Sequence, residues 1–342
     1  MDKRIILAVA GSGKTTYIIN QLNENTRSLI VTYTINNFEN LRTGIINKFG
    51  YIPSNISLLR YFPFLYTFCY KPFLSYKLKT NGINFGLNPN KYAKQNKRDY
   101  YFDKFDRLYS NRIAKLLDGC NVIKDVNNRL SKYFDNLFID EVQDLAGNDF
   151  NFLLNITKSN INSLLVGDFY QHTFDTSRDG NVNSSLHNDY NAYKDRFKKA
   201  GIFIDNTTLN KSYRCSPNVT DFITKNLGIN IESHRKDNTT INFTTDTKNS
   251  DEIFSKNNVV KLFLKEHYNY SCYSRNWGDC KGEDKYIDIC VVMNKDTYKL
   301  FEKNKLIELK PQTKNKLYVA MTRAKNNIFI ISEELYKKYK KI

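Results

Sequence analysis

Ile5-Ile6-Leu7-Ala8-Val9-Ala10-Gly11-Ser12-Gly13-Lys14-Thr15-Thr16 is the stretch on which the fold turns. An apolar run of buried-strand type passes into a loop of small residues and then into Tyr17-Ile18-Ile19, which can start a helix. Phosphate binding needs that order: backbone N–H groups that point inward, small residues that permit the path, and a helix N-terminus whose dipole favours negative charge. Ala10, Gly11, Ser12 and Gly13 supply the loop, Lys14 reaches the β and γ phosphates of ATP, Thr15 offers its hydroxyl to Mg²⁺, and Thr16 continues the helix start. An ordinary glycine-rich turn is the bland alternative, and Ala8 stands where the general pattern has glycine.

Outward from this loop, short apolar runs recur at Ser28 to Thr32, Leu137 to Ile139 and Leu164 to Val166, with helical stretches between them. That alternation reads as α/β with parallel sheets. The segment from about 58 to 130 is crowded with Tyr, Phe, Lys and Arg, lacks the rhythm, and reads as a mainly helical insertion. The rhythm resumes at Thr207 to Leu209, Val259 to Leu264, Ile287 to Met293 and Ile328 to Ser332. A chain of 342 residues accommodates two domains, here 1–203 with the insertion and 204–342.

The chain carries 52 Lys plus Arg against 35 Asp plus Glu, a net charge of +17, which favours a polyanionic partner without naming it. Its six cysteines form no CxxC pair, and the four histidines lie at no metal-ligand spacing from them, so a reducing compartment fits. The strand at Ile5 leaves no room for a signal peptide, and no apolar run reaches the length of a membrane span. A soluble, cytoplasmic protein with no membrane partner is expected.

Leu137-Phe138-Ile139 ends on Asp140-Glu141-Val142-Gln143-Asp144, setting two adjacent carboxylates at the C-terminal end of a strand, the edge where open α/β sheets bind ligands. Asp140 suits the Mg²⁺ shell, and Glu141 suits a general base that orients the attacking water. As a solvated acidic turn the same residues carry no chemistry. Here the chain resembles the UvrD/Rep-like superfamily 1 (SF1A) DNA helicases, whose second motif is D-E-x-Q-D. Their phosphate loop, A-G-A-G-S-G-K-T, also begins with alanine, and Val9 replaces its first glycine.

The resemblance implies two RecA-like domains and further site residues. Val166-Gly167-Asp168-Phe169-Tyr170-Gln171 is similar to the third motif, in which Gln171 senses the γ-phosphate. Leu209-Asn210-Lys211-Ser212-Tyr213-Arg214 is similar to the fourth, giving Tyr213 the adenine stack and Arg214 a γ-phosphate contact, although Ser212 and Cys215 depart from its flanks. Lys281-Gly282-Glu283-Asp284 with Tyr286 is similar to the fifth, one residue longer than usual, which puts Gly282 and Glu283 at the ribose. Leu317-Tyr318-Val319-Ala320-Met321-Thr322-Arg323-Ala324 is similar to the sixth, making Arg323 a second arginine finger. Such arginines stabilise charge on the transferring phosphoryl oxygens.

For the nucleic-acid track, the resemblance carries Thr34 and Asn37 from motif Ia and places Tyr61 and Phe62 at motif Ib. Single-strand grooves combine cations with stacking rings, each stack being worth about 1 to 3 kcal/mol. Core packing is an equal use of such rings. Phe174 stands where the family has a tyrosine after motif III, but the arginine and tryptophan that follow it there are missing from His172-Thr173-Phe174-Asp175-Thr176. About seventy residues separate Arg214 from Gly282, where larger relatives insert the accessory 2B domain.

These features lead to an ATP- and Mg²⁺-dependent helicase or translocase moving 3′ to 5′ on single-stranded nucleic acid, DNA before RNA, with a protein partner supplying duplex engagement. The alternative is a nucleic-acid-stimulated ATPase switch or clamp that does not unwind. A P-loop enzyme acting on a small molecule, such as a kinase, is disfavoured by the ordered motifs and the twin arginines.

Overall fold

The structure, a computed structural model, describes residues 1–177 and 180–341. They form two compact units. The first comprises Met1–Ile6, Lys14–Gly167 and Phe174–Asp205; the second comprises Leu7–Gly13, Asp168–Thr173 and Asn206–Ile342. The loop before Lys14 and the segment after Gly167 therefore pack with the second unit, although each emerges from a strand of the first.

The first unit is built on a six-stranded parallel sheet. Its strands are β1 (Lys3–Leu7), β2 (Ser28–Thr32), β3 (Ile56–Arg60), β4 (Asn136–Asp140), β5 (Asn162–Gly167) and β6 (Phe203–Asp205), in the order β3-β2-β4-β5-β1-β6. β2 and most of β4 and β5 are buried on both faces, as near-continuous apolar runs between helix layers should be. Because all six strands run parallel, their C-terminal ends share one edge. That edge carries Thr32, Arg60, Asp140 and Gly167.

The second unit holds a five-stranded parallel sheet of β7 (Ile241–Thr244), β8 (Val260–Phe263), β9 (Ser274–Asn276), β10 (Ile289–Met293) and β11 (Ile328–Ser332), ordered β7-β11-β10-β8-β9. Period-two alternation splits its side chains between two cores. Val260, Leu262, Val291, Met293 and Ile330 join Trp277 and Tyr318 in one, while Phe263, Cys290, Val292 and Ile331 pack with Phe254 and Tyr336 in the other. Val9 and Ala10 of the phosphate loop belong to the first of these cores.

The α/β class with two parallel sheets is as the sequence reading expects. Four strands lie outside that reading. β3 occupies the start of the segment taken as insertion, and β6 pairs in parallel with β1, so the expected boundary at 203/204 falls inside a strand of the first sheet. β7 and β9 are short or half-exposed edge strands with little apolar signal. Thr207 to Leu209 is not a strand; the Leu209 carbonyl instead accepts from the Val9 amide at 3.0 Å. From 61 to 78 the chain is helical, with a π segment at Phe64–Tyr70, and the insertion also contains a two-stranded pair, Ile83–Asn84 with Leu108–Tyr109.

Candidate functional site

In the phosphate loop, Gly11 and Gly13 both adopt left-handed backbone, with φ of +70° and +86°. Space also restricts Gly11, where a Cβ would lie 2.8 Å from the Arg214 Cβ and from the Ser212 Oγ. Ser12 is buried and donates to the Val9 carbonyl at 2.8 Å, and Tyr213 N–H donates to the Gly11 carbonyl at 2.9 Å. The loop is thereby seated on the 212–214 segment. Helix α1 (Lys14–Gln21) begins at Lys14, with Lys14 and Thr15 half-buried and Thr16 exposed.

A second tie to the loop was not visible in the sequence. Tyr318, fully buried in the helix Pro311–Met321, accepts from the Ala10 amide at 2.9 Å and donates to Asp168 Oδ2 at 3.1 Å. Asp168 in turn accepts from Gln171 Nε2 at 2.8 Å and from the Tyr170 amide at 3.1 Å. Burial, with the Asp168 carboxylate beside it, pushes the Tyr318 phenol well above its ordinary pKa, so it stays a neutral hydroxyl that both accepts and donates. One relay within the second unit thus joins Ala10, Tyr318, Asp168 and Gln171.

The two arginines named from the sequence face one carboxylate. Asp284 accepts from Arg214 and lies 3.7 Å from Arg323. Arg323 is 1% exposed, and its guanidinium also donates to the Val319 and Glu283 carbonyls at 3.2 and 3.4 Å. Burial, with Arg323 close by, draws the Arg214 pKa below its ordinary value. Gly282 is left-handed at φ +79°, and the Glu283 carboxylate accepts from the Tyr286 hydroxyl and faces Arg275 at 3.6 Å. Exposed Tyr213 stacks on His234, ring centroids 4.0 Å apart and planes 13° apart.

In the first unit, Asp140 closes β4 and Glu141 follows in left-handed backbone at φ +55°, ψ +43°. For a residue other than glycine that conformation costs about 1 to 3 kcal/mol and persists only where its surroundings enforce it. The surroundings are close: a Cβ at Gly167 would meet the Gln143 Oε1 at 2.5 Å and the Val142 Cγ1 at 2.6 Å, so only glycine at the end of β5 admits this turn. Both Glu141 oxygens accept side-chain amides, Oε1 from Asn37 Nδ2 at 3.2 Å and Oε2 from Gln143 Nε2.

The residues expected to meet nucleic acid gather in part. Thr34 caps helix α2 (Ile35–Phe49), accepting from the Asn37 amide at 3.2 Å, and the Asn37 side chain is turned to Glu141. Tyr61 is 3% exposed, so it supports the rings in front of it and presents no face for a base. Phe62 and Phe174 each meet Tyr33, at centroid distances of 5.9 and 5.5 Å, and Phe62 also meets exposed Phe85 at 5.3 Å. Tyr33 and Phe85 were missed; Tyr33 adjoins Thr34, a signal that could have found it, whereas Phe85 sits in the insertion with no motif around it. Behind the cluster, buried Asp149 is raised to about 7 by desolvation, against the opposing effect of the Thr176 and Tyr61 hydroxyls.

The basic and aromatic stretch 91–115 largely satisfies itself. Arg98 pairs with Asp106 and Arg107 with Asp103, both at 2.7 Å, and the Arg112 guanidinium lies 3.5 Å from the Tyr100 ring centroid. All six cysteines are free. Among the described residues no helix is long and apolar enough to cross a membrane.

The family model for the viral superfamily 1 RNA helicase core domain matches residues 107–332. That span takes in Asp140, Gln171, Arg214 and Arg323 and leaves the phosphate loop outside it. No curated protein matches the chain. Among solved structures, the complex of Arterivirus nonstructural protein 10 (helicase) with DNA is 12% identical with a TM-score of 0.51, over 98% of this chain and 62% of that one. The Arterivirus nonstructural protein 10 (helicase) crystal structure is 13% identical with a TM-score of 0.48, over 98% and 61%, and the PRRSV helicase is 13% identical with a TM-score of 0.46, over 98% and 53%. The chain thus spans between half and two thirds of the length of these proteins. At such identity the DNA complex shows likeness of fold, that of tandem RecA-like domains. Within the superfamily that the motifs indicate, the matched family is the viral RNA helicase core, not the UvrD/Rep-like group.

Proposed function

Since this chain belongs to the viral superfamily 1 RNA helicase core-domain family, we propose that it is an ATP- and Mg²⁺-dependent motor that couples hydrolysis to movement on single-stranded nucleic acid. The observation that carries this is the C-terminal edge of the first sheet, where β1 leads to Lys14 and Thr15 and β4 ends on Asp140 and Glu141. Lys14 and the loop amides hold the phosphates, Thr15 and Asp140 would hold Mg²⁺, which would neutralise charge on the β- and γ-phosphate oxygens, and Glu141 is the base. As the attacking water's oxygen bonds to the γ-phosphorus, its proton passes to Glu141 and the bridging oxygen leaves with ADP. Gln171, Arg214 and Arg323 stabilise the phosphoryl oxygens, Tyr213 takes the base, and Gly282 and Glu283 lie by the ribose.

The track is single-stranded RNA, supported by the family's description; the DNA track and the 3′ to 5′ direction belong to the UvrD/Rep resemblance and are the other arm of the test. Phe62, Phe174 and Tyr33 form the stacking surface. The two units act as RecA-like domains 1 and 2, in a reducing cytoplasmic compartment that suits the six free thiols. ATPase rates with and without single-stranded RNA or DNA test this, and indifference to both would sink it. A strand-displacement assay with 3′ and 5′ overhangs then separates unwinding and its direction from a switch or clamp. That second reading is favoured by the missing arginine and tryptophan after Gln171, and a partner protein would supply duplex engagement.

A further inference from the structure

The segment from Tyr33 to Asn37 touches both halves of the proposed reaction. Its first residue packs on Phe62 and Phe174, and its last donates to Glu141 Oε1. Between them Thr34 caps α2, fixing Asn37 in the first helical turn, so a displacement of the Tyr33 ring is carried to the Asn37 amide through a short, hydrogen-bonded piece of backbone.

A general base needs a lone pair aimed at the water, and hydrogen bonds donated to a carboxylate favour its charged form and so weaken it as a base. Both Glu141 oxygens accept side-chain amides here, that of Gln143 from its own turn and that of Asn37 from another element. Gln143 is fully buried and packed against Gly167, whereas Asn37 is half-buried and stands on the strand-facing segment. Of these two amides, Asn37 is the one placed to leave.

We infer that Asn37 is a positioning residue that restrains Glu141 at rest and lets it go when a single strand occupies the Tyr33, Phe62 and Phe174 rings. Nucleic-acid stimulation of hydrolysis then passes through one amide. This rests on the motor reading above. It changes the role of Asn37 from a contact of the nucleic-acid track to the link between strand and base.

The test measures ATP turnover and KM with and without saturating single-stranded RNA, and RNA affinity by fluorescence anisotropy, for wild type, Asn37→Ala and Asn37→Asp. Alanine cannot donate to Oε1, and an aspartate beside Glu141 either repels it or shares a proton with it, so Asn37→Ala carries the prediction and Asn37→Asp reads the sensitivity of the base to this neighbour. The expected result is a basal kcat about five- to tenfold higher, the net scale of one intramolecular hydrogen bond, with KM for ATP and the RNA-stimulated rate near wild type. The ratio of stimulated to basal rate then collapses towards one. Parallel falls in basal and stimulated rates, with the ratio kept, would make Asn37 a fixed support of Glu141 and overturn the inference alone. So would weakened RNA binding with an unchanged basal rate. A wild-type ATPase indifferent to RNA and DNA would instead overturn the motor reading and the inference with it.

Discussion

The proposed reactive groups of the two units are held in different ways. The Glu141 carboxyl group stands on left-handed backbone and accepts the side-chain amides of Asn37 and Gln143. Arg214 and Arg323 are cations held by a carboxylate, and Arg323 is further fixed by two carbonyls. Arg323 is fixed by burial and by backbone carbonyls, whereas the Asn37 amide on Glu141 belongs to a half-buried side chain. The base can therefore be released by one side-chain movement, whereas Arg323 is set in place. A motor in which the strand gates hydrolysis calls for that division.

The largest expected effects break the comparison at its centres. Glu141→Gln should lower ATP turnover by about a thousandfold while keeping nucleotide affinity and melting temperature, and Arg323→Ala should cost a similar factor in turnover. Unlike the first variant, Arg323→Ala should also melt earlier, because its carbonyl partners lose their donor in a buried site; thermal melts beside ATPase assays check both. Turnover surviving Glu141→Gln would remove it as the base.

Gly11→Ala is expected next. It places a Cβ within 2.8 Å of Arg214 and Ser212 on a left-handed backbone, so ATP affinity should fall by about tenfold or more, read by nucleotide titration. Tyr318→Phe sharpens the contrast at the relay, leaving the Ala10 amide and Asp168 without their shared hydroxyl. It should destabilise the protein by about 1 to 3 kcal/mol in denaturant titration and lower kcat more than it raises KM. An unchanged kcat would leave Tyr318 with a packing role only.

The smallest effect concerns Asp149 behind the ring cluster. Its pKa is raised from 3.8 to about 7, so the folded state prefers the neutral acid. The unfolded chain ionises first as pH rises, and stability present below pH 4 is lost progressively up to about pH 7. Asp149→Asn should flatten that decline and raise the melting temperature by a few degrees at pH 8, with little change at pH 4. A parallel shift at both pH values would assign the effect to packing.

Much of the fold and the chemistry was legible because it is local. A strand that ends in a glycine loop or an acidic turn displays its candidate site within about ten residues, as at Ile5 to Thr16 and Leu137 to Asp144, and these turns lie where the sequence reading placed them. Apolar runs likewise identified the central strands, while edge strands such as Ile241–Thr244, half-exposed and mixed in character, left no such pattern. The candidate strand-binding residues were legible only as types. Nothing in Tyr61 itself tells a stacking ring from a buried one.

The sequence by itself determined which chemical groups the protein brings and the strand ends that carry them, since backbone path and residue type suffice for that. Only the tertiary structure decided which neutral polar groups meet. Asn37 reaches Glu141 across 104 residues, and Ala10 reaches Tyr318 across 308. Such pairings depend on sheet order and helix placement, and an amide or a hydroxyl can satisfy itself with many partners, so neither residue announces its own. Burial was decided there too: Arg323 sits among carbonyls and Tyr61 behind other rings because each sheet covers one set of side chains and leaves another in water.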